Sequence, residues 1–405
     1  MLIALDGLNA PIALHDCNEI IPPLSHVLGS WPFRVIESPP AEAPAQISIR
    51  RGSNSYRIAS PWLSEPVIEK SIVGAVFSLT AEIACAFADS QAGLLCLHCA
   101  AVVADGRLIL FPNSENAGKS TLAAGLTAQG LRLFADDVVA ISETHQHGIA
   151  LGLAPRLRLP LPPSCGPSLR SFIAAHQGPH DDEFMYLDLN ATQLAQHGET
   201  CPIGATVLLD RRRSGPPALT SLEKGPALRQ LIVQNFAPHG TSLGTIDRLF
   251  SIIEAGACLS FTYSDLDHAV GFLAHQFSPA NPDWPHGPGG EIQRTRLGEI
   301  AVEVAQDGRP GSALFSQVPG VGLRVIDADL FLVKPDDGAV FHLNAVAASL
   351  WHLLSLPTTL ATATEAVRNA FPTVDPGIIS RDVSTVFDAL QDAGLIRSGD
   401  IDSAA

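Results

Sequence analysis

One nine-residue stretch constrains this 405-residue chain more than any other. It reads Asn-Ser-Glu-Asn-Ala-Gly-Lys-Ser-Thr over residues 113–121. An apolar run of strand length, 108–111, precedes it, and Leu122 and Leu126 follow at helical spacing. The stretch therefore predicts a strand, a tight loop and a helix, which is the context that a phosphate-binding loop needs.

Each residue type in this loop has a physical use around a phosphate. Backbone N–H groups of the loop and of the helix N-terminus favour an anion. Gly118 allows close approach of the backbone, Lys119 offers a positive charge, and Ser120 offers a hydroxyl to Mg²⁺. Asn113 stands where such loops usually begin with glycine, and asparagine tolerates a left-handed backbone. The predicted nucleotide-binding residues are Asn113, Ser114, Glu115, Asn116, Ala117, Gly118, Lys119, Ser120 and Thr121.

Two adjacent acids interrupt the next predicted strand, residues 131–141. Asp136 and Asp137 are costly in an apolar strand unless a cation meets them. A Mg²⁺ ion would do so, and the predicted metal ligands are therefore Ser120, Asp136 and Asp137. The alternative is a strand end with two solvated aspartates.

A histidine lies on the strand before the loop. The turn Asp105-Gly106 predicts an antiparallel hairpin of strands 94–103 and 107–111. This pairing would put His98 on the strand beside the one that leads into the loop. The alternative is a histidine whose hydrogen bonds are satisfied in the core.

Three other patterns carry weaker predictions. Arg156 and Arg158 lie in a proline-rich segment and either face a phosphate or are solvated. Cys96 and Cys99 form a C-x-x-C with no second pair, which disfavours a metal or redox role. Residues 67–88 predict a long helix that begins close to Pro66.

Composition limits the kinds of partner. The formal net charge is −16, and 46% of the residues are hydrophobic, which indicates a well-buried globular chain. An acidic surface argues against nucleic acid. Seven cysteines, an odd number in a large chain, predict reduced thiols in a cytoplasmic setting. The start of the chain predicts no secretory signal, and the apolar stretch 72–88 predicts a buried helix rather than a membrane span.

Length and linker composition predict more than one domain. We expect a domain at 1–277, whose residues 1–92 form an N-terminal β-rich and helical subdomain, then a linker at 278–315 and a domain at 316–405. The last domain reads as three strands and three helices, a small winged-helix-like α+β unit. Its helices carry acids, which disfavours binding to nucleic acid.

The motifs around the loop resemble those of the HPr kinase/phosphorylase superfamily, most closely the HPr-kinase-related branch found beside peptide-modification genes. The run 97–103, the loop and the aspartate pair carry this resemblance. It implies an α/β phosphate-loop core shared with phosphoenolpyruvate carboxykinase. It also implies catalytic roles for His98, Lys119, Asp136 and Asp137.

The C-terminal domain resembles the PqqD family of small peptide chaperones. The resemblance rests on Phe341-His342-Leu343-Asn344, on Leu350-Trp351, on Leu353-Leu354 and on the segment 383–396. In that family a leader peptide adds as a strand to a sheet edge. The alternative is a packing domain that binds nothing.

These patterns together predict an ATP-dependent kinase, with Mg²⁺, that phosphorylates a hydroxyl of a ribosomally made precursor peptide held by its leader. Serine is the expected acceptor and a lasso-peptide pathway the expected setting. No nucleic-acid or membrane partner is expected, and homo-oligomerisation is left open. The alternatives are a kinase acting on an HPr-like phosphocarrier, a nucleotide-switched peptide-binding module without phosphotransfer, and a small-molecule kinase or carboxykinase-like enzyme.

Overall fold

The computed structural model describes residues 1–37, 45–112, 118–142, 146–237, 242–278, 281 and 313–399. It divides into two compact units. The first comprises Met1–Gly240 and Thr245–Gly289, and the second comprises Thr241–Gly244 and Gly290–Ala405. The first five loop residues, 113–117, and nearly all of the predicted linker lie outside the described residues.

The first unit is a mixed α/β structure, as the sequence predicted. Its strands are β1 (Leu2–Leu5), β2 (Ile12–His15), β3 (Phe33–Ile36), β4 (Ile47–Arg51), β5 (Tyr56–Ala59), β6 (Val67–Glu69), β7 (Leu95–His98), β8 (Ala100–Ala104), β9 (Arg107–Phe111), β10 (Arg132–Ala135), β11 (Val138–Ile141), β12 (His147–Ala150), β13 (Arg156–Arg158), β14 (Gln177–His180), β15 (Phe184–Leu187), β16 (Thr200–Arg211), β17 (Ala218–Ser221) and β18 (Ala257–Tyr263). Its helices are a 3₁₀ turn (Asn18–Ile20), α1 (Ile21–Leu28), α2 (Ile72–Ser90), α3 (Lys119–Ala128), α4 (Pro167–Ala175), α5 (Lys224–Gln234), α6 (Ser242–Ala255) and α7 (Leu266–Gln276).

The N-terminal sheet has the strand order β3-β1-β2-β4-β5-β6. Its apolar residues share one core with those of α1 and α2. Within the described chain, α2 is long and apolar enough to span a membrane by composition, and most of it is buried inside this unit. The same length and composition fit a core helix of the kind that the sequence predicted.

The larger sheet positions the loop helix. Its order is β10-β8-β9-β16-β12-β11-β7, with β18 beside β16 and β17 beside β18. β16 runs parallel to β9 and β18, and the other neighbours are antiparallel. β9 leads into the loop, and α3 then packs against β8, β10, α4 and α7. A separate small sheet has the order β13-β15-β14.

Two strands predicted as continuous are each split in two. The predicted strand 94–103 breaks at Cys99, so β8 pairs with β9 as expected while β7 pairs with β11. The predicted strand 131–141 breaks at the aspartate pair, so β10 pairs with β8 while β11 joins β7 and β12. The prediction that His98 lies beside the strand entering the loop is therefore wrong. The break at Cys99 leaves His98 on β7, which pairs with β11, while only β8 pairs with β9, the strand that enters the loop.

The long helix predicted from residue 67 begins later. Val67–Glu69 forms strand β6, which pairs with β5 at the edge of the N-terminal sheet. The helix begins at Ile72, and the Ser71 side chain caps it by accepting a hydrogen bond from the Gly74 N–H at 2.9 Å. Serine satisfies an otherwise unpaired helix N–H at this position.

The second unit has two three-stranded sheets. Its elements are β19 (Leu314–Gln317), β20 (Gly322–Ile326), β21 (Asp329–Val333), β22 (Val340–Leu343), α8 (Ala345–Leu353), β23 (Thr358–Thr359), α9 (Leu360–Ala370), α10 (Pro376–Asp392) and β24 (Ile396–Gly399). The sheet orders are β20-β21-β22 and β23-β19-β24. The Asn344 side chain caps α8 by accepting from the Ala347 N–H at 3.0 Å, and Gly394 follows α10 with φ +67°. The winged-helix description of this unit stays a prediction.

Close packing of α3 against α7 predicts opposite effects for two glycine substitutions. A Cβ at Gly125 would lie 2.5 Å from Val270 Cγ2, whereas a Cβ at Gly271, one position further along α7, would meet nothing within 4 Å. We expect Gly125→Ala to lower the free energy of unfolding by roughly 1–3 kcal/mol through overpacking. Gly271→Ala, the control, should raise it by about 0.5–1 kcal/mol through helix propensity. Urea unfolding measures both, and equal effects would contradict the packing.

Candidate functional site

The N-terminus of α3 provides one wall of the site. Gly118 precedes it with φ +84°, and a Cβ at this position would lie 3.3 Å from the Tyr263 hydroxyl. A glycine is favoured here by its backbone angle and by this close approach. The first turn of a helix leaves N–H groups without helical partners, which makes it an anion-binding position.

Lys119, the first residue of α3, is a buried cation. Its exposed fraction is 8%, and no other lysine or arginine in the described chain is so buried. The Lys119 ammonium lowers the pKa of the buried Cys99 thiol while Asp137 raises it, so both charges lie within electrostatic range of Cys99. Lys119 and Asp137 therefore approach the same part of the protein.

Asp136 is a buried carboxylate in the break between β10 and β11. Burial raises its pKa to about 6, and the like charge of Asp137 adds to this increase. The Arg156 backbone N–H donates to its Oδ2 at 2.9 Å, and the nearby Ser120 hydroxyl also favours the charged form. Asp136 Oδ1 is buried and has no hydrogen-bond partner among the described residues. One oxygen is thus fixed and the other is left for a ligand.

Asp137 is more exposed and contacts the predicted histidine. His98 Nε2 lies 3.3 Å from Asp137 Oδ1, and the two side chains are 37% and 49% exposed. The contact follows from the pairing of β7 with β11, which puts His98 opposite Val138, the residue after Asp137. Solvent screens a pair this exposed, so its effect is mainly to orient the carboxylate.

The donor set fits a magnesium ion that also binds a nucleotide. Ser120, Asp136 and Asp137 line one cavity and offer hard oxygen ligands. No group of three or more His, Cys, Asp or Glu side chains that could hold a metal occurs in the described chain. Two carboxylates and a hydroxyl suit Mg²⁺, because this ion keeps several waters and takes phosphate oxygens. The unpartnered Asp136 Oδ1 is consistent with such a ligand.

Arg156 also lines this cavity, and the sequence analysis left open whether it faces a phosphate or is solvated. The Arg156 guanidinium lies over the Phe77 ring at 3.3 Å from its centroid and over the Phe184 ring at 4.4 Å. Arg156 is thus partly buried, not solvated. Tyr186, Phe77 and Phe184 are site residues that the sequence analysis missed, since α2 and β15 supply them from distant parts of the chain.

The structure brings together most of the predicted site residues that it describes. Ser120, Asp136 and Asp137 share the cavity, His98 contacts Asp137, and Thr121 follows Ser120 in α3. Asn113, Ser114, Glu115, Asn116 and Ala117 lie outside the described residues, so their predicted contacts stay predictions.

Cys96 and Cys99, which form the C-x-x-C pair, are both buried free thiols. Burial raises the pKa of Cys96 and of Cys99 to about 12, so both stay protonated near neutral pH. The thiolate is the reactive and metal-binding form of cysteine. The expectation that the pair has no redox or metal role stays a prediction.

Replacement of Asp136 by asparagine should stabilise the metal-free protein at neutral pH. A folded-state pKa above the ordinary value means that stability is greatest when the group is protonated and falls as pH rises through about 6. The gain from Asp136→Asn should therefore be small at pH 4, grow to pH 6.5, and level off at no more than roughly 3 kcal/mol. Urea unfolding in EDTA measures it.

Asp182 supplies the control for this prediction, because it is exposed and Asp182→Asn should change the free energy of unfolding little. A gain from Asp136→Asn that instead grew as the pH fell would contradict the burial of this carboxylate.

Comparisons with known proteins found one matching family model and similar solved structures. Residues 329–396 match the family model of the coenzyme PQQ synthesis protein D (PqqD). The solved complex of TbiB1 with the TbiA(beta) leader peptide is 24% identical, with 20% of this chain and 94% of that chain covered and a TM-score of 0.19. The HPr(Ser) kinase/phosphatase from Coxiella burnetii is 12% identical, with 44% and 91% covered and a TM-score of 0.23.

Both TM-scores are low, so neither structure by itself establishes the fold of this chain. No curated protein sequence matches it. The family match covers β21, β22 and the three helices that follow them. The C-terminal part of this chain, residues 329–396, is therefore a PqqD-like domain.

Proposed function

We propose that this protein is an ATP-dependent kinase that phosphorylates a serine hydroxyl of a ribosomally made precursor peptide. One observation carries the proposal. Ser120, in the first turn of α3, lines one cavity with the paired carboxylates of Asp136 and Asp137, and the neighbouring Lys119 and Asp137 both lie within electrostatic range of Cys99. The terminal phosphates of a nucleotide, with their metal ion, need helix amides, a lysine and acidic residues together.

The surroundings of each residue support a division of roles. Lys119 and the N–H groups at the start of α3 bind the outer phosphates. Asp136, fixed by the Arg156 N–H, and Ser120 would hold Mg²⁺, which supplies charge neutralisation to the phosphates when bound. Asp137 is the more accessible acid, and His98 orients it.

Asp137 therefore acts as the acceptor of the hydroxyl proton. The serine oxygen forms a bond to the γ-phosphorus, the bond from that phosphorus to the β–γ bridging oxygen breaks, and ADP leaves. The proton of the hydroxyl ends on the Asp137 carboxylate.

The PqqD-like domain supports the peptide half of the proposal. β20 has one neighbour in the described chain, β21, so its other edge can accept an added strand. Leu323 and Val325, two apart on β20, are exposed apolar side chains that a bound peptide would cover. Capture of a leader raises the effective concentration of the acceptor serine near the kinase site. A cytoplasmic location and the oligomeric state stay predictions.

Phosphate transfer should depend on Lys119 and Asp137. With Mg-ATP and a candidate precursor peptide, mass spectrometry should show addition of one or more phosphates to the peptide. Lys119→Ala and Asp137→Asn should each lower the rate by roughly 100-fold or more, because each removes a charge acting on the reacting groups. Lys70→Ala, at an exposed lysine, is the matched control and should leave the rate unchanged.

An unchanged peptide mass with intact ATP binding would instead support the nucleotide-switched module. Phosphorylation of a phosphocarrier protein in preference to the peptide would support the phosphocarrier kinase.

Leader binding should depend on the exposed face of β20. We expect Val325→Lys to weaken binding of a fluorescent leader peptide roughly fivefold to tenfold, since burial of this partly exposed valine contributes about 1 kcal/mol. Val346 on α8 is equally exposed, at 41%, so Val346→Lys is a matched control and should leave affinity unchanged. Equal losses in both variants would place the peptide elsewhere.

A further inference from the structure

The cavity beside the aspartate pair also reaches the small sheet. Its volume is about 70 Å³. Ser120, Asp136 and Asp137 line it together with Arg156 and Tyr186 of the small sheet, whereas Lys119 and Gly118 are not among its lining residues. The part of the cavity that Arg156 and Tyr186 line is therefore available to a group other than the phosphates that would meet Lys119.

Arg156 presents only one part of its side chain for binding. The Phe77 and Phe184 ring centroids lie 3.3 and 4.4 Å from the guanidinium carbon and 5.9 Å from each other, so both rings pack against this side chain and restrict its movement. Its Nη1 is buried and makes no hydrogen bond to the described residues. A fixed guanidinium edge with a free donor is pre-organised for a carboxylate or phosphate oxygen.

Tyr186 supplies a second donor next to it. β13 and β15 pair Arg156 opposite Tyr186, which puts both side chains on one face. Tyr186 is 3% exposed, and burial raises its pKa to about 12, so it keeps its O–H proton. The Thr80 hydroxyl lies close enough to affect this pKa, but it donates to the carbonyls of Val76 and Phe77, and Tyr186 Oη has no partner among the described residues.

Two buried donors without partners are costly in a folded protein. Each such group destabilises the fold unless something in the cavity accepts its hydrogen bond. Both donors line the same space, whose other walls include Val27, Ala84 and Leu151. An oxyanion on a short apolar stem matches this combination of two donors and aliphatic walls.

We propose that this cavity is an acceptor subsite, in which Arg156 Nη1 and Tyr186 Oη bind a carboxylate of the peptide that receives the phosphate. The inference rests on the proposed kinase function. The carboxylate binds beside Arg156 and Tyr186, because the like charges of Asp136 and Asp137 repel it. Binding in this direction leaves the acceptor hydroxyl of the same peptide toward Asp137.

Two pairs of short peptides test the subsite and identify the source of the carboxylate. The first pair is acetyl-Ala-Gly-Ser-Glu-amide and its glutamine twin. The second is acetyl-Ala-Gly-Ser with a free C-terminal carboxylate and its amide twin. With the full chain and Mg-ATP, the charged member of at least one pair should have a kcat/KM at least tenfold above that of its twin. A preference within the first pair identifies a side-chain carboxylate as the bound group, and a preference within the second pair identifies the C-terminal carboxylate.

Substitutions of Arg156 and Tyr186 test whether these two donors cause the preference for the charged peptides. Arg156→Gln should reduce the charged-to-neutral ratio to below two, and Tyr186→Phe should reduce it threefold to fivefold. Arg158→Gln, on the same strand and face, is the matched control and should leave the ratio unchanged. Tyr186→Phe should also leave the melting temperature equal or higher, because it removes a buried hydroxyl without a partner. A ratio that survives in Arg156→Gln and Tyr186→Phe overturns the subsite.

Direct binding separates this inference from the kinase proposal. Calorimetry with ADP and each peptide should show tighter binding of the charged member even if no phosphate is transferred, in which case only the kinase proposal fails. Transfer without any preference for charge overturns the subsite alone. Fluorescent ATP should bind equally to the parent protein and to Arg156→Gln. A tenfold loss of ATP affinity with an unchanged peptide ratio would assign Arg156 to the nucleotide and overturn the inference.

Discussion

The burial of one carboxylate, Asp136, is the constraint on which the rest of the site depends. Among the described residues it is held by a backbone N–H and a nearby hydroxyl, not by a direct ion pair. The Arg156 guanidinium instead packs against the Phe77 and Phe184 rings. Dipoles of this kind offset only part of the cost of removing a charge from water, and the pKa stays raised as a result. On the proposed function, a bound cation would supply the missing stabilisation.

The strand break explains how the fold reaches this arrangement. A continuous strand through residues 131–141 would carry Asp136 and Asp137 on opposite faces of one ladder. Instead β10 ends on β8, and β11 begins between β7 and β12, so neither aspartate belongs to a named strand. The pairing of β7 with β11 also delivers His98 to Asp137. The break between β10 and β11 therefore positions both the buried Asp136 and the contact of His98 with Asp137.

Short-range patterns in the sequence were sufficient to find the loop helix, the aspartate pair and the hairpin of β8 and β9. They failed for the strand that carries His98, because hydrophobicity does not distinguish a continuous strand from two strands that meet at Cys99. They also placed the start of α2 too early, although Val67 and Ile68 are β-branched residues that favour the strand formed by pairing with β5. For His98 the deciding contact, the pairing of β7 with β11, is distant along the chain.

The environment of Arg156, in the site itself, also could not be predicted from short-range sequence patterns. Its sequence neighbours, two prolines and a second arginine, are equally compatible with solvent and with a phosphate. Its actual environment comes from Phe77 on α2 and from Phe184 and Tyr186 on β15, and no periodicity near Arg156 encodes them. Residues of this kind become visible only when the sheet register is known, because Arg156 and Tyr186 are cross-strand neighbours.

The charges along this region alternate in sign. Lys119 and the start of α3 are positive, Asp136 and Asp137 are negative, and Arg156 beyond them is positive. Alternation keeps each buried charge near an opposite one, so no single element bears the whole desolvation cost. It also gives each end of the region a different preference: phosphate at α3, a cation at the carboxylates, and an oxyanion at the arginine. On the proposed function, this order fixes the direction in which an acceptor can enter, since only one end of a molecule with a hydroxyl and a carboxylate suits each position.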